Sequence, residues 1–126
     1  MKTDPPNLLF ILGESHAPNL LGVLGNRFIH TPNLDRLAHS GAVFENAYCA
    51  SPLCVPARAS LATGLFPHQS GYWDSSLAYD GQADSWMKRL RDGGYETAGF
   101  GKMHFRSDSD DYGFELFEET MQIRLM

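Results

Sequence analysis

Cysteine and positive charge are both scarce: two Cys, and ten Lys and Arg against fifteen Asp and Glu, a formal net charge of -5 over 126 residues. Cys49 and Cys54 could close one small-loop disulfide, but they read rather as free thiols with separate roles; a thiol-redox protein is a weaker alternative, because their spacing is not C-x-x-C. The cations are scattered rather than run together. That excludes a general nucleic-acid binder or a membrane-surface protein, and leaves a small molecule as the expected partner, with oligomerisation open. Long apolar runs are missing too. The first, Leu8 to Leu12, is too short to span a membrane and follows Asp4-Pro5-Pro6 rather than a basic segment, so no secretory leader and a cytoplasmic location are expected. Repeats, low-complexity stretches and linkers are absent, which predicts one domain over residues 1–126.

What is present is an alternation of apolar runs and amphipathic segments. Asn7-Leu8-Leu9-Phe10-Ile11-Leu12, bounded by Pro5-Pro6 and Gly13, predicts a strand buried on both faces of a parallel or mixed sheet. Residues 18–28 predict a short helix or turn. Thr31 to Gly41 predicts a packing helix with Thr31 as N-cap, Pro32 in the first turn and Gly41 as the stop. Ala42 to Cys49 predicts a second strand, Asp84 to Gly94 an amphipathic helix, and Tyr95 to Phe100 a third strand. Leu65 to Asp74 is turn-rich and aromatic, suited to walling a pocket. The acidic cluster Asp108, Asp110 and Asp111 lacks the spacing of a twelve-residue calcium loop and predicts a solvated loop. The order is that of an α/β fold.

In α/β sheets ligand chemistry gathers at the carboxyl ends of strands. Glu14, after the first strand, could serve as a hard-metal ligand and His16 as a ligand or substrate contact; a solvated polar loop fits the same residues. Cys54 precedes a predicted helix that starts near Pro56 and closes at Gly64, with Arg58 one turn on. A helix N-terminus and a guanidinium both favour an anion there, such as a thiolate, although a cysteine packed beside a short helix has the same local sequence. Lys102 and His104 follow the third strand. In extended backbone they point to the same side, where they can bind an oxyanion and protonate a leaving group.

Cys54-Val55-Pro56-Ala57-Arg58 with Leu61-Ala62-Thr63-Gly64 resembles the sulfatase family of the alkaline-phosphatase-like superfamily, whose hallmark is C-x-P-x-R before a small-residue helix ending in T-G. The opening strand, the block Thr31-Pro32-Asn33-Leu34-Asp35-Arg36-Leu37 and Gly101-Lys102-Met103-His104 match in order and approximate spacing. Gly-Lys-Met-His-Phe followed by Tyr112-Gly113-Phe114-Glu115 looks most like the choline-sulfatase and related bacterial branch. The resemblance implies an alkaline-phosphatase-like mixed or mostly parallel sheet flanked by helices, of which this chain holds the N-terminal part. It implies a sulfatase in which a formylglycine-generating enzyme converts Cys54 to formylglycine, whose hydrated aldehyde attacks a small-molecule sulfate ester. Arg58 would steady the hydrate, and Lys102 and His104 would bind the sulfate oxygens and the hydrate hydroxyls. A divalent metal is implied, calcium first with magnesium or manganese as alternatives, on Glu14, Ser15 and the modified Cys54. Glu14 and Ser15 stand where the family usually carries Asp followed by Asp or Gln. Family members are several times longer, so a truncated non-catalytic member is the competing expectation. A phosphonate monoester or phosphodiester hydrolase of the same superfamily is another.

Overall fold

The computed structural model describes residues 5–119. The chain forms two compact units, residues 1–47 and 48–126.

In the first unit, two 3-10 turns, Pro18–Leu20 and Gly22–Leu24, precede helix α1, Pro32–Ser40. Thr31 sits at the N-cap position as expected, but its side chain does not cap the helix. Its hydroxyl accepts from the Gly22 amide at 2.8 Å and donates to Asp35 Oδ1 at 2.9 Å, while the Val23 amide donates to the same carboxylate oxygen at 2.8 Å. The block from Thr31 to Asp35 is therefore a clasp for the turn before it. Gly22 allows that closeness, since a Cβ there would lie 2.6 Å from Asp35 Oδ2. No residue from 5 to 50 is buried, and neither strand expected in this part of the chain forms. Leu9 is 86% and Ile11 78% exposed. A strand exists by pairing its amides and carbonyls with a neighbour, and a doubly buried one needs a layer on each face. The described residues of this unit offer neither, so an apolar run alone does not make the strand.

The second unit holds the core. Helices α2 (Cys54–Thr63), α3 (Pro67–Ser70) and α4 (Trp86–Asp92) precede strands β1 (Ala98–Gly101) and β2 (Leu116–Glu119). The strands pair in parallel, with Ala98 opposite Leu116 and Gly101 opposite Glu119. The α/β expectation with a parallel sheet is met. Ser85 caps α4 by accepting from the Lys88 amide at 3.2 Å, and its hydroxyl donates to the Tyr112 carbonyl at 3.1 Å. Ala59, Ala62, Tyr79, Met87, Phe105 and Tyr112 form the buried cluster, with Phe114 and Phe117 packed against it. Gly113 (φ 95°) lets that aromatic segment pass under α4, since a Cβ there would lie 2.3 Å from the Lys88 amide nitrogen. The acidic loop is less solvated than expected. Asp110 takes both arms of Arg106, at 2.8 and 2.5 Å, and Asp111 those of Arg91, at 2.6 and 3.1 Å. Among the described residues no helix is long and apolar enough to cross a membrane.

Candidate active site

Cys54 opens α2 as its first helical residue rather than preceding it, with Leu53 extended at the cap (φ -98°, ψ 140°). The sequence reading starts the helix near Pro56, where proline is best tolerated; proline suits any of the first-turn positions, because none of their amides has a partner within the helix. Val55 and Pro56 are buried and anchor this turn, while Cys54 is exposed. Both cysteines are free thiols, as expected. The thiol of Cys54 is thus exposed at the start of the helix.

Arg58 follows one turn later, half-buried, and its Nη1 donates to the carbonyl oxygen of Lys102. That bond joins α2 to the segment leaving β1. Arg58, on the helix that carries Cys54, is thus joined to Lys102, two residues before His104. The expected same-side display of Lys102 and His104 does not hold, because β1 ends at Gly101 and His104 adopts φ 54°. Lys102 is half-buried and His104 is buried, 5% exposed. Side chains alternate only while the backbone stays extended, and a left-handed residue breaks that alternation.

The residue that sequence reasoning misses is Glu119. Paired with Gly101 at the end of β2, it reaches across the sheet, and its Oε1 accepts from the amides of Met103 at 3.1 Å and His104 at 2.5 Å. The left-handed turn at His104 is held by this carboxylate. Burial, the largest influence, pushes the Glu119 carboxyl above its usual range and outweighs the lowering by the backbone amides of His104, Met103 and Phe105. One signal was available: alternation along Leu116-Phe117-Glu118-Glu119 places Phe117 and Glu119 on one face, and Phe117 is apolar.

His104 also borders an open cavity of about 410 Å³, lined further by residues 70–72, 75–78, 80, 105 and 106. Tyr72 on this wall bears out the pocket expected from the turn-rich segment, whereas Trp73, in the same segment, is exposed.

Glu14 and Ser15 lie in the first unit, in a turn where Ser15 has φ 54°. Among the described residues no three His, Cys, Asp or Glu side chains converge as a metal site. The described acids therefore do not by themselves assemble a ligand set for a divalent cation.

The family model described as Sulfatase matches residues 6–122. Curated relatives include an N-acetylglucosamine-6-O-sulfatase of Bacteroides thetaiotaomicron, 34% identical over 88% of this chain and 20% of its own length. A choline-sulfatase of Rhizobium meliloti is 39% identical over 91% of this chain and 22% of its own. A solved structure in complex with its substrate D-glucosamine-2-N,6-O-disulfate superposes with a TM-score of 0.72 at 35% identity, over 79% of this chain and 20% of that one. A phosphonate monoester hydrolase of Agrobacterium radiobacter shares the fold, with a TM-score of 0.66 at 24% identity over 82% of this chain and 23% of its own. The chain spans about a fifth of the length of these relatives.

Proposed function

Because this chain belongs to the sulfatase family, we propose that it carries the nucleophile half of a sulfuric ester hydrolase site. The observation that carries the reading is Cys54 exposed at the start of α2 with Arg58 bound one turn later to the Lys102 carbonyl. Formylglycine made from Cys54 by a formylglycine-generating enzyme would supply a hydrated aldehyde as nucleophile towards the sulfur of a small-molecule sulfate ester. The first-turn amides of α2 favour negative charge at that position. Arg58, one turn after Cys54, would steady the hydrate, and it is tied to the segment carrying Lys102 and His104. Lys102 contributes a cation for the sulfate oxygens, and His104 contributes a ring that can give a proton to the departing alcohol. We assign no step to calcium or another divalent metal.

Co-expression with a formylglycine-generating enzyme, followed by peptide mass spectrometry, is expected to show the aldehyde at position 54. Unmodified thiol alone under those conditions overturns the reading. Turnover of 4-nitrophenyl sulfate against a phenyl phosphonate ester separates sulfatase from phosphonate hydrolase. The lack of a convergent acid cluster among the described residues favours a second reading, a non-catalytic sulfatase-like binding protein. Metal-dependent hydrolysis of a sulfate ester by the purified chain, abolished by Cys54→Ala, decides against it.

A further inference from the structure

Two residues in the segment leaving β1 take left-handed backbone, Gly101 (φ 96°) and His104 (φ 54°). Glycine adopts that conformation freely; a histidine does not, so its turn has to be held from outside. Two oppositely charged side chains do so. Arg58 Nη1, from α2, donates to the carbonyl of Lys102, and Glu119 Oε1, from β2, accepts from the amides of Met103 at 3.1 Å and His104 at 2.5 Å. The Lys102 carbonyl and the Met103 amide belong to one peptide unit. Its negative end therefore meets the guanidinium and its positive end the carboxylate, the alignment that the peptide dipole favours.

We infer that Glu119 is a positioning residue for the sulfate-binding groups: by pinning the Lys102–Met103 peptide and the turn at His104, it sets where the Lys102 and His104 side chains stand when an anion arrives. The inference rests on the sulfatase reading, which gives those two residues their ligand. In this role Glu119 acts through the backbone it holds, because its own negative charge opposes an anion. Position and charge thus have opposite signs. Removing a carboxylate that acts through charge alone tightens anion binding, whereas removing one that holds the turn weakens it. Reach matters too. Glu119 pairs with Gly101 and holds its first amide two residues further on, at Met103, so the length of the side chain spans that offset. Glutamine keeps the length and an acceptor oxygen without the charge; aspartate keeps the charge and is one methylene short.

The test is an NMR titration of the isotope-labelled full chain with sodium sulfate at constant ionic strength, followed at the Met103 and His104 amides. Glu119→Gln is expected to bind sulfate as tightly as wild type or more tightly. Glu119→Asp and Glu119→Ala are expected to bind about tenfold more weakly, since a non-glycine residue left unheld takes the left-handed region about one time in ten and affinity falls with the competent fraction. Circular dichroism reports that the variants are folded, and Glu119→Asp carries the comparison where Glu119→Ala does not fold. Three results overturn the inference: no sulfate-dependent shift in wild type, a folded Glu119→Asp variant that binds as tightly as wild type, or Glu119→Gln weakened as much as Glu119→Asp. Turnover of 4-nitrophenyl sulfate by the formylglycine-bearing protein is read separately. Absence of turnover with the sulfate ranking intact overturns the sulfatase reading and supports the positioning role.

Discussion

Replacing Glu119 tests whether one carboxylate holds the conformation of His104. Its Oε1 accepts two amides, at 3.1 and 2.5 Å, from the turn in which His104 has φ 54°. A non-glycine residue held left-handed costs about 1–2 kcal/mol, and a hydrogen bond to a charged acceptor contributes about 1.5 kcal/mol at the low end suited to a half-buried group. Glu119→Ala removes roughly 3 kcal/mol of bonding, and relaxation of the turn recovers about 1, leaving a net destabilisation of about 2 kcal/mol. Glu119→Gln keeps an acceptor oxygen and removes a charge that burial opposes, so a change below about 1 kcal/mol is expected. Urea unfolding of each variant measures these values, and a double-mutant cycle with His104→Gly isolates the coupling. The pH dependence gives a second readout. Because burial raises the Glu119 carboxyl above 4.5, the folded chain binds more protons there than the unfolded one. Its contribution is fully present below 4.5 and is lost as pH rises through the folded value, so wild type loses stability relative to Glu119→Gln over that window. A Glu119→Ala variant within about 0.5 kcal/mol of wild type, or no coupling to His104→Gly, refutes the argument.

Gly113→Ala places a Cβ 2.3 Å from the Lys88 amide nitrogen at φ 95°, and is expected to destabilise the second unit by about 3 kcal/mol or more; an unchanged melting temperature would contradict this. Pairing with Arg106 holds Asp110 below 3.8, so its contribution is present above 3.8 and is lost as pH falls through the folded value; Arg106→Gln should flatten that acid limb in a series of thermal melts. Leu9→Ser and Ile11→Ser should each change stability by less than about 0.5 kcal/mol in urea, because both side chains are exposed; a loss of about 2 kcal/mol would show the run to be buried.

The helices were legible in the sequence because their signals are local. Pro32 and Gly41 bracket α1, Gly64 closes α2, and Ser85 and Gly93 bracket α4 within a residue or two. Cys54, Arg58, Lys102 and His104 were expected as a set through the family resemblance, and the structure joins two of its blocks by the Arg58 bond to the Lys102 carbonyl. The strands over Asn7 to Leu12 and Ala42 to Cys49 were not, because pairing is a property of two segments and an apolar run specifies only one. Glu119 and the Asp80–Arg106 pair escaped for the same reason. Glu119 lies 15 residues from the amide it holds at His104, and Asp80 lies 26 residues from Arg106, so neither spacing is a local pattern.

Parallel pairing of β1 with β2 has a mechanical consequence. Parallel neighbours cannot be joined by a tight turn, so residues 102–115 form a compulsory bridge from one end of the pair to the other. The bridge leaves the sheet at Gly101, and there its first amides are tied to Glu119, the last described residue of the partner strand. Lys102 and His104 thus stand on an abutment rather than on a free span. Amide hydrogen exchange at Met103 and His104 should accordingly follow the slow rate of the sheet, with the fast-exchanging part of the bridge displaced towards Ser107 to Ser109.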